Sequence, residues 1–236
     1  TLIMFALLSE RPEYAEIVKP FIALAPVAKV GHIKSPIRYL AENPLLMDFF
    51  YYKGGAFFPS SDLINYMAEQ FCKFEVIADL CSNILFLFAG YDSTQLNITR
   101  LPVYVAHVPS TTSAWNVIHF GQMVVSNKFR KFDFGTIGNL RHYGTTHPPE
   151  YNMSRITSEN IAIIHSMNDW LGDPEDVLFI QQQLEGKLIV DHKIPYEKWN
   201  HLDFLWAKKT AKYVNVVVID ILKKFKSETC LNDNLV

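Results

Sequence analysis

Apolar positions gather into compact runs at the two ends of the chain and break into short pieces between them. Leu2 to Leu8 are nearly all apolar, which on a short helix means burial on most sides, and RPEYAEIV then restarts a helix with Pro12 near its first turn. Phe21 to Ala25 is a short apolar run closed by Pro26, the pattern of a buried strand in a parallel sheet. From Lys29 to about Tyr151, Gly, Pro and aromatic residues interrupt the chain, as in NPLLMDFFYYKGGAFFPSSDLINYMAEQF, and predict a largely helical insertion. The simple pattern then returns: ENIAIIH as a strand, DPEDVLFIQQQL as a helix, KLIVDHKIP as a strand, and a closing helix around TAKYVNVVVIDILKKF. The last ten residues are polar and are expected to fray.

Strand, helix, strand at this end predicts a right-handed βαβ unit in a parallel sheet, and such sheets place their sites at the carboxyl ends of strands. SMNDWLGD follows the first of these strands and YEKWNH follows the second. An acid on one loop and a histidine on the next is the order Asp then His of an α/β-hydrolase triad. Helix chemistry separates the acids. Asp173 precedes Pro174 and reads as the cap of the following helix, which already employs it. Asp169 has no such employment and lies nearer the strand end, where it could accept from an imidazole and fix its tautomer. Asp203 is a third candidate, two residues from His201, and would project elsewhere if a helix begins there.

Of eight histidines, His32, His107, His119, His142 and His147 fall in the insertion, while His165 and His192 lie in strands. His201 alone follows the last strand by a loop; without an acid partner it would read as a cap of the closing helix. The nucleophile is the harder question. Acyl transfer by this arrangement needs a serine on a strand-to-helix elbow, usually G-x-S-x-G, and the 236 residues contain no such motif. Ser9 ends a helix and Ser166 sits in the acid loop, so neither has that context. Such an elbow leads into an apolar helix and then a strand, the order of TLIMFALL and PFIALAPVA, which places the expected serine just upstream of Thr1.

Composition narrows the partners. A net charge of −2 with both signs interspersed offers no basic stripe for phosphates, so nucleic acid is an unexpected partner. No apolar run reaches membrane-span length. The three cysteines lack C-x-x-C spacing and no zinc-like cluster is present, so neither metal nor cofactor is expected. Two glycosylation sequons, Asn97-Ile98-Thr99 and Asn152-Met153-Ser154, fall in loop-like segments. Aromatic residues are abundant, with 17 Phe and 11 Tyr. In the insertion, Phe49, Phe50, Tyr51, Tyr52, Phe57, Phe58, Phe71, Phe74, Phe86 and Phe88 are expected to form its core, with some available to line an acyl groove.

Several segments in order, FIALAPVA, GYDSTQLNITRLPVYVAHVPS, SAWNVIHFGQ, KFDFG, YNMS, NDWLGDPEDV and WNHLDFLWA, resemble the acid lipase family of lysosomal and gastric lipases, including its insect members. The resemblance runs from Thr1 to about Lys224. It implies an α/β-hydrolase fold in which residues 1–28 and 152–236 belong to the core and residues 29–151 form a cap and lid. It implies that Asp169 and His201 are the triad acid and base, that a GHSQG elbow stands immediately upstream, and that Cys72 and Cys81 form a disulfide while Cys230 stays free. It further implies a lipid ester substrate such as triglyceride or cholesteryl ester, action at a lipid–water interface, and a secreted or lysosomal home. The sequence departs from the family at Ala89, commonly a cysteine, and at Thr111, commonly a glycine. Two other readings stay open: a noncatalytic lipid-binding fragment, and a hydrolase of another small ester.

Overall fold

The computed structural model describes residues 1–57, 75–92, 94–108 and 110–233. In chain order the first elements are α1 (Leu2–Glu10), β1 (Phe21–Leu24), α2 (Ile37–Ala41), α3 (Pro44–Lys53) and β2 (Ala56–Phe57). Then come α4 (Glu75–Ala89), α5 (Leu101–Val105), β3 (Thr112–Ser113), α6 (Ala114–Ser126) and α7 (Gly135–Tyr143). The last are β4 (Ile161–His165), α8 (Pro174–Gln183), β5 (Leu188–Lys193), α9 (Asp203–Trp206) and α10 (Val216–Asp233).

Three strands make a parallel sheet in the order β1-β4-β5, with β1 in register against β4 from Phe21 opposite Ile161 to Leu24 opposite Ile164. All five residues of the central strand β4 are buried, which is why its sequence is a continuous apolar run and not an alternation. The two faces divide by parity. Phe21, Ala23, Ile161 and Ile163 join one core with Phe5 and Leu8 of α1 and Val177 and Ile180 of α8. Ile164 joins the other with Trp199, Phe204 and Val214, against which Ile22 and Leu24 also pack. β5 lies at a sheet edge and alternates half-buried and exposed residues.

Two expectations change here. α1 buries only Phe5, Leu8 and Ser9 fully and leaves Ile3 exposed, because only one of its sides faces the sheet. The closing helix continues to Asp233, into the polar tail expected to fray. Lys and Glu are good helix formers, so polarity alone does not end a helix.

Between β1 and β4 the described elements are mainly helical, joined by the short antiparallel pair β2–β3. Their ends follow local chemistry: Asn43 accepts from the Leu46 N–H at 3.2 Å to start α3, and Ser113 accepts from the Trp115 N–H at 3.2 Å to start α6. The aromatic residues do not make one core. Phe86 is buried, but Phe49, Tyr52 and Phe88 are exposed, while Phe50 stacks edge-on with Phe57 at 4.8 Å. Phe58, Phe71, Phe74 and Cys72 lie outside the described residues. Cys81 is half-buried against the small cluster of Phe86, Leu96 and Leu101.

Candidate active site

The carboxyl ends of β4 and β5 point their following loops toward each other, and the end of α4 fits between them. The loop after β4 carries Asp169 and the loop after β5 carries His201. His201 Nδ1 lies 2.9 Å from Asp169 Oδ2 and 3.1 Å from Oδ1. Since an ionised carboxylate only accepts, Nδ1 carries the proton, and Nε2 is left as the basic nitrogen. Asp169 is buried, while His201 keeps 30% of its side chain exposed. A fixed anion behind a partly open imidazole can orient it and stabilise the imidazolium that forms when Nε2 takes a proton.

Asp169 also has structural work that its sequence position did not disclose. Its Oδ1 accepts from the Leu171 N–H at 2.9 Å and from the Gly172 N–H at 2.7 Å. These bonds lock the carboxylate in a tight turn with Oδ2 presented to the histidine. Asp173 caps α8 by accepting from the Glu175 N–H at 2.9 Å, and its other oxygen pairs with Lys34 Nζ at 2.7 Å. Replacing Asp173 by Ala should therefore cost about 2 kcal/mol of stability, the upper end for a lost cap because an ion pair to a buried oxygen goes with it. Chemical denaturation would measure this, and a loss under about 0.5 kcal/mol would remove the capping role.

Asp203 lies behind the base, as a clamp on the same turn. It is buried, and its Oδ2 accepts from the Asn200 N–H at 2.9 Å, while Asn200 Oδ1 accepts from the Leu202 and Asp203 N–H groups at 2.9 and 3.1 Å. This reciprocal pairing is the logic of a capping box, with His201 held inside it. Burial pushes the Asp203 carboxyl up to about 7; the Asn200 N–H bond opposes that, and the nearby Asp92 adds to it.

Two other histidines meet carboxylates. His165 Nε2 lies 3.0 Å from Asp191 Oδ1, and Gln181 donates to the other oxygen at 2.7 Å. The His165 ring is only 10% exposed, and burial lowers its pKa despite the nearby Asp191. His32 Nδ1 lies 2.8 Å from Asp176, beside Lys29 and Glu175, in an ionic cluster at the start of α8. Neither pair joins the loops that follow β4 and β5. Among the described residues no group of three His, Cys, Asp or Glu side chains could hold a metal ion, and no described helix is long and apolar enough to cross a membrane. The sequons differ in exposure: Asn152 is exposed and Asn97 half-buried, and each accepts from its own Ser154 or Thr99 hydroxyl at 2.7 Å.

Sequence reasoning passed over Asn168, Asn200 and Gly90. The two asparagines immediately precede the acid and the base, and both side chains donate to backbone carbonyls near Gly90. Their position beside candidate residues was the only signal.

No family model matches the chain. It is 36% identical over 229 residues to lipase lipl-1 of Caenorhabditis elegans, covering 94% of this chain and 56% of that protein. It is 36% identical over 227 residues to human gastric triacylglycerol lipase, and 34% identical over 229 residues to human lysosomal acid lipase/cholesteryl ester hydrolase. In both human comparisons the match covers 96% of this chain and 56% of the relative. The homologues of this chain are thus gastric and lysosomal acid lipases, and the chain spans about half the length of those relatives. They imply an α/β-hydrolase fold, with which the mixed α/β structure agrees.

Proposed function

We propose that this chain is the acid-and-base part of a serine lipase that hydrolyses neutral lipid esters. The observation that carries the reading is the 2.9 Å contact between His201 Nδ1 and a buried Asp169, formed across the loops that follow two adjacent parallel strands. Similarity to lipases over nearly the whole chain supports it. In this reading the nucleophilic serine comes from sequence outside these residues. His201 Nε2 takes the serine proton as the hydroxyl oxygen attacks the ester carbonyl, and then gives that proton to the departing alcohol oxygen. Water enters next, loses a proton to Nε2 and attacks the acyl-enzyme carbonyl. The serine leaves with that proton as the fatty acid is released. Asp169 stays ionised and holds the imidazole throughout.

Residues 1–28 and 152–236 would belong to the hydrolase core, and residues 29–151 to a mainly helical cap and lid that meets the lipid–water interface. Triglyceride and cholesteryl ester are the candidate substrates, because the relatives' names carry them. The same names favour a secreted or lysosomal location, with glycans on Asn97 and Asn152. The test is an esterase assay on emulsified triglyceride, comparing the 236-residue chain with a protein extended upstream through a G-x-S-x-G segment. Turnover should belong to the extended protein alone. Equal turnover by the short chain would mean that the nucleophile lies within it.

A Cys72–Cys81 disulfide goes with the secretory assignment. Protein recovered from a secretory host should show one reactive thiol, Cys230, under denaturing and nonreducing conditions. Three reactive thiols would rule the bridge out. Closing a loop this short contributes roughly 2 to 3 kcal/mol in the chain-entropy model.

A further inference from the structure

The acid and the base stand on different loops, so their contact is only as well placed as the loops are relative to one another. Three consecutive carbonyls at the end of α4 fix that relation. The Ala89 carbonyl accepts from the Trp170 N–H of the acid loop at 3.3 Å and from the His201 N–H of the base loop at 3.2 Å. The Gly90 carbonyl accepts from Asn200 Nδ2 at 2.8 Å, and the Tyr91 carbonyl accepts from Asn168 Nδ2 at 3.1 Å. Asn168 Nδ2 also donates to the Lys198 carbonyl at 2.8 Å, which ties the acid loop directly to the base loop. Close approach explains the glycine. Gly90 has φ +110, and a Cβ there would lie 2.2 Å from the Asn168 carbonyl oxygen.

We propose that Asn168 and Asn200 are positioning residues for the Asp169–His201 pair, acting through the strap Ala89–Tyr91. The inference rests on the lipase reading and adds to it. Through the strap, the carboxyl end of α4, an element of the segment between β1 and β4, sets the geometry of the acid and the base. The packing beyond the strap reinforces the link: Leu96 bridges to Ala207, the Gln95 carbonyl accepts from the Lys208 N–H at 2.8 Å, and Tyr104 stacks on Trp206 with centroids 4.7 Å apart. The segment after α4 is thereby fastened to the end of α9, the short helix behind the base loop, and to the residues that follow it. Each amide supplies an N–H that a carboxylate or a methyl group cannot, and a misplacement of about 1 Å at reacting atoms can lower a rate about 100-fold.

The test uses the full-length enzyme with its upstream serine segment, as wild type and as the variants Asn168→Ala, Asn168→Asp, Asn200→Ala and His201→Ala. Measured are kcat, KM, thermal unfolding and the low-field proton resonance of the His201–Asp169 hydrogen bond. In Asn168→Ala, half-exposed in the wild type and so least disturbing to folding, kcat should fall about 10- to 100-fold while KM changes less than about 2-fold. The resonance should weaken or disappear although the protein stays folded. Asn168→Asp, similar in size but without the N–H, should lose as much. A merely structural amide would lower the unfolding temperature and leave kcat and the resonance of the folded protein intact. That result, with His201→Ala inactive, overturns the strap and leaves the lipase reading standing. Wild-type turnover by His201→Ala would overturn the lipase reading itself, and the positioning role with it.

Discussion

On the proposed lipase reading, replacing His201 by Ala in a protein extended upstream through a G-x-S-x-G segment should lower kcat by several orders of magnitude, with little change in KM for an emulsified or short-chain ester. The serine hydroxyl is a weak nucleophile at neutral or acid pH, and only a base at hydrogen-bond reach makes it attack at a useful rate. Asp169→Ala should be nearly as damaging, for two separable reasons. The imidazole loses the acceptor that holds it at 2.9 Å, and the Leu171 and Gly172 N–H groups lose the Oδ1 that satisfies them. Asp169→Ala should therefore lose stability as well as activity, whereas His201→Ala, replacing a partly exposed ring, should lose mainly activity. Because triad members act as a unit, the double variant should be scarcely slower than the worse single one. An active His201 variant, or additive losses in the double variant, would be incompatible with this mechanism.

The parts of the molecule legible in the sequence are those where one local pattern decides the outcome. Ile161 to His165 reads as a buried strand because both its faces are covered, and Asp173-Pro174 reads as a helix start because capping is local. Position singled out His201, and position together with the capping role of Asp173 singled out Asp169: each follows a strand, on neighbouring loops, and the structure brings them together. Long-range relations stayed hidden. Nothing local in Asn168 or Asn200 says that its amide will meet a carbonyl of residues 90–91, respectively 77 and 110 positions earlier in the chain. The double duty of Asp169 was missed for a different reason. Its bonds to Leu171 and Gly172 are local, but an aspartate two or three residues ahead of a glycine fits many turns. Ring contacts in the segment between β1 and β4 were equally beyond reach, since aromatic composition fixes neither partners nor exposure.

The contribution of Asp203 to stability should fall as pH rises from about 4 to about 7. Its carboxyl is buried beside Asp92, with the Asn200 N–H as its donor, and its pKa stands near 7 against an ordinary value of 3.8. Between those values the folded chain holds a proton that the unfolded chain has released. The folded state is therefore favoured at the acid end, and the advantage is lost as pH climbs through about 7. The full difference is on the order of 4 kcal/mol, at about 1.4 kcal/mol for each unit between the two values. His165 works in the opposite sense, since burial lowers its pKa and its protonation at acid pH favours unfolding. Comparing wild type with Asp203→Asn cancels that contribution, because His165 is present in both. Asparagine keeps an oxygen to accept from the Asn200 N–H and cannot ionise. The variant should thus gain a few kcal/mol over wild type at pH 8 and little at pH 4. Urea denaturation of both proteins at the two pH values measures the gap. A gap that does not grow between pH 4 and pH 8 would place the titration elsewhere. If it does grow, the turn that holds His201 is most secure in acid, which is the environment a lysosomal ester hydrolase would meet.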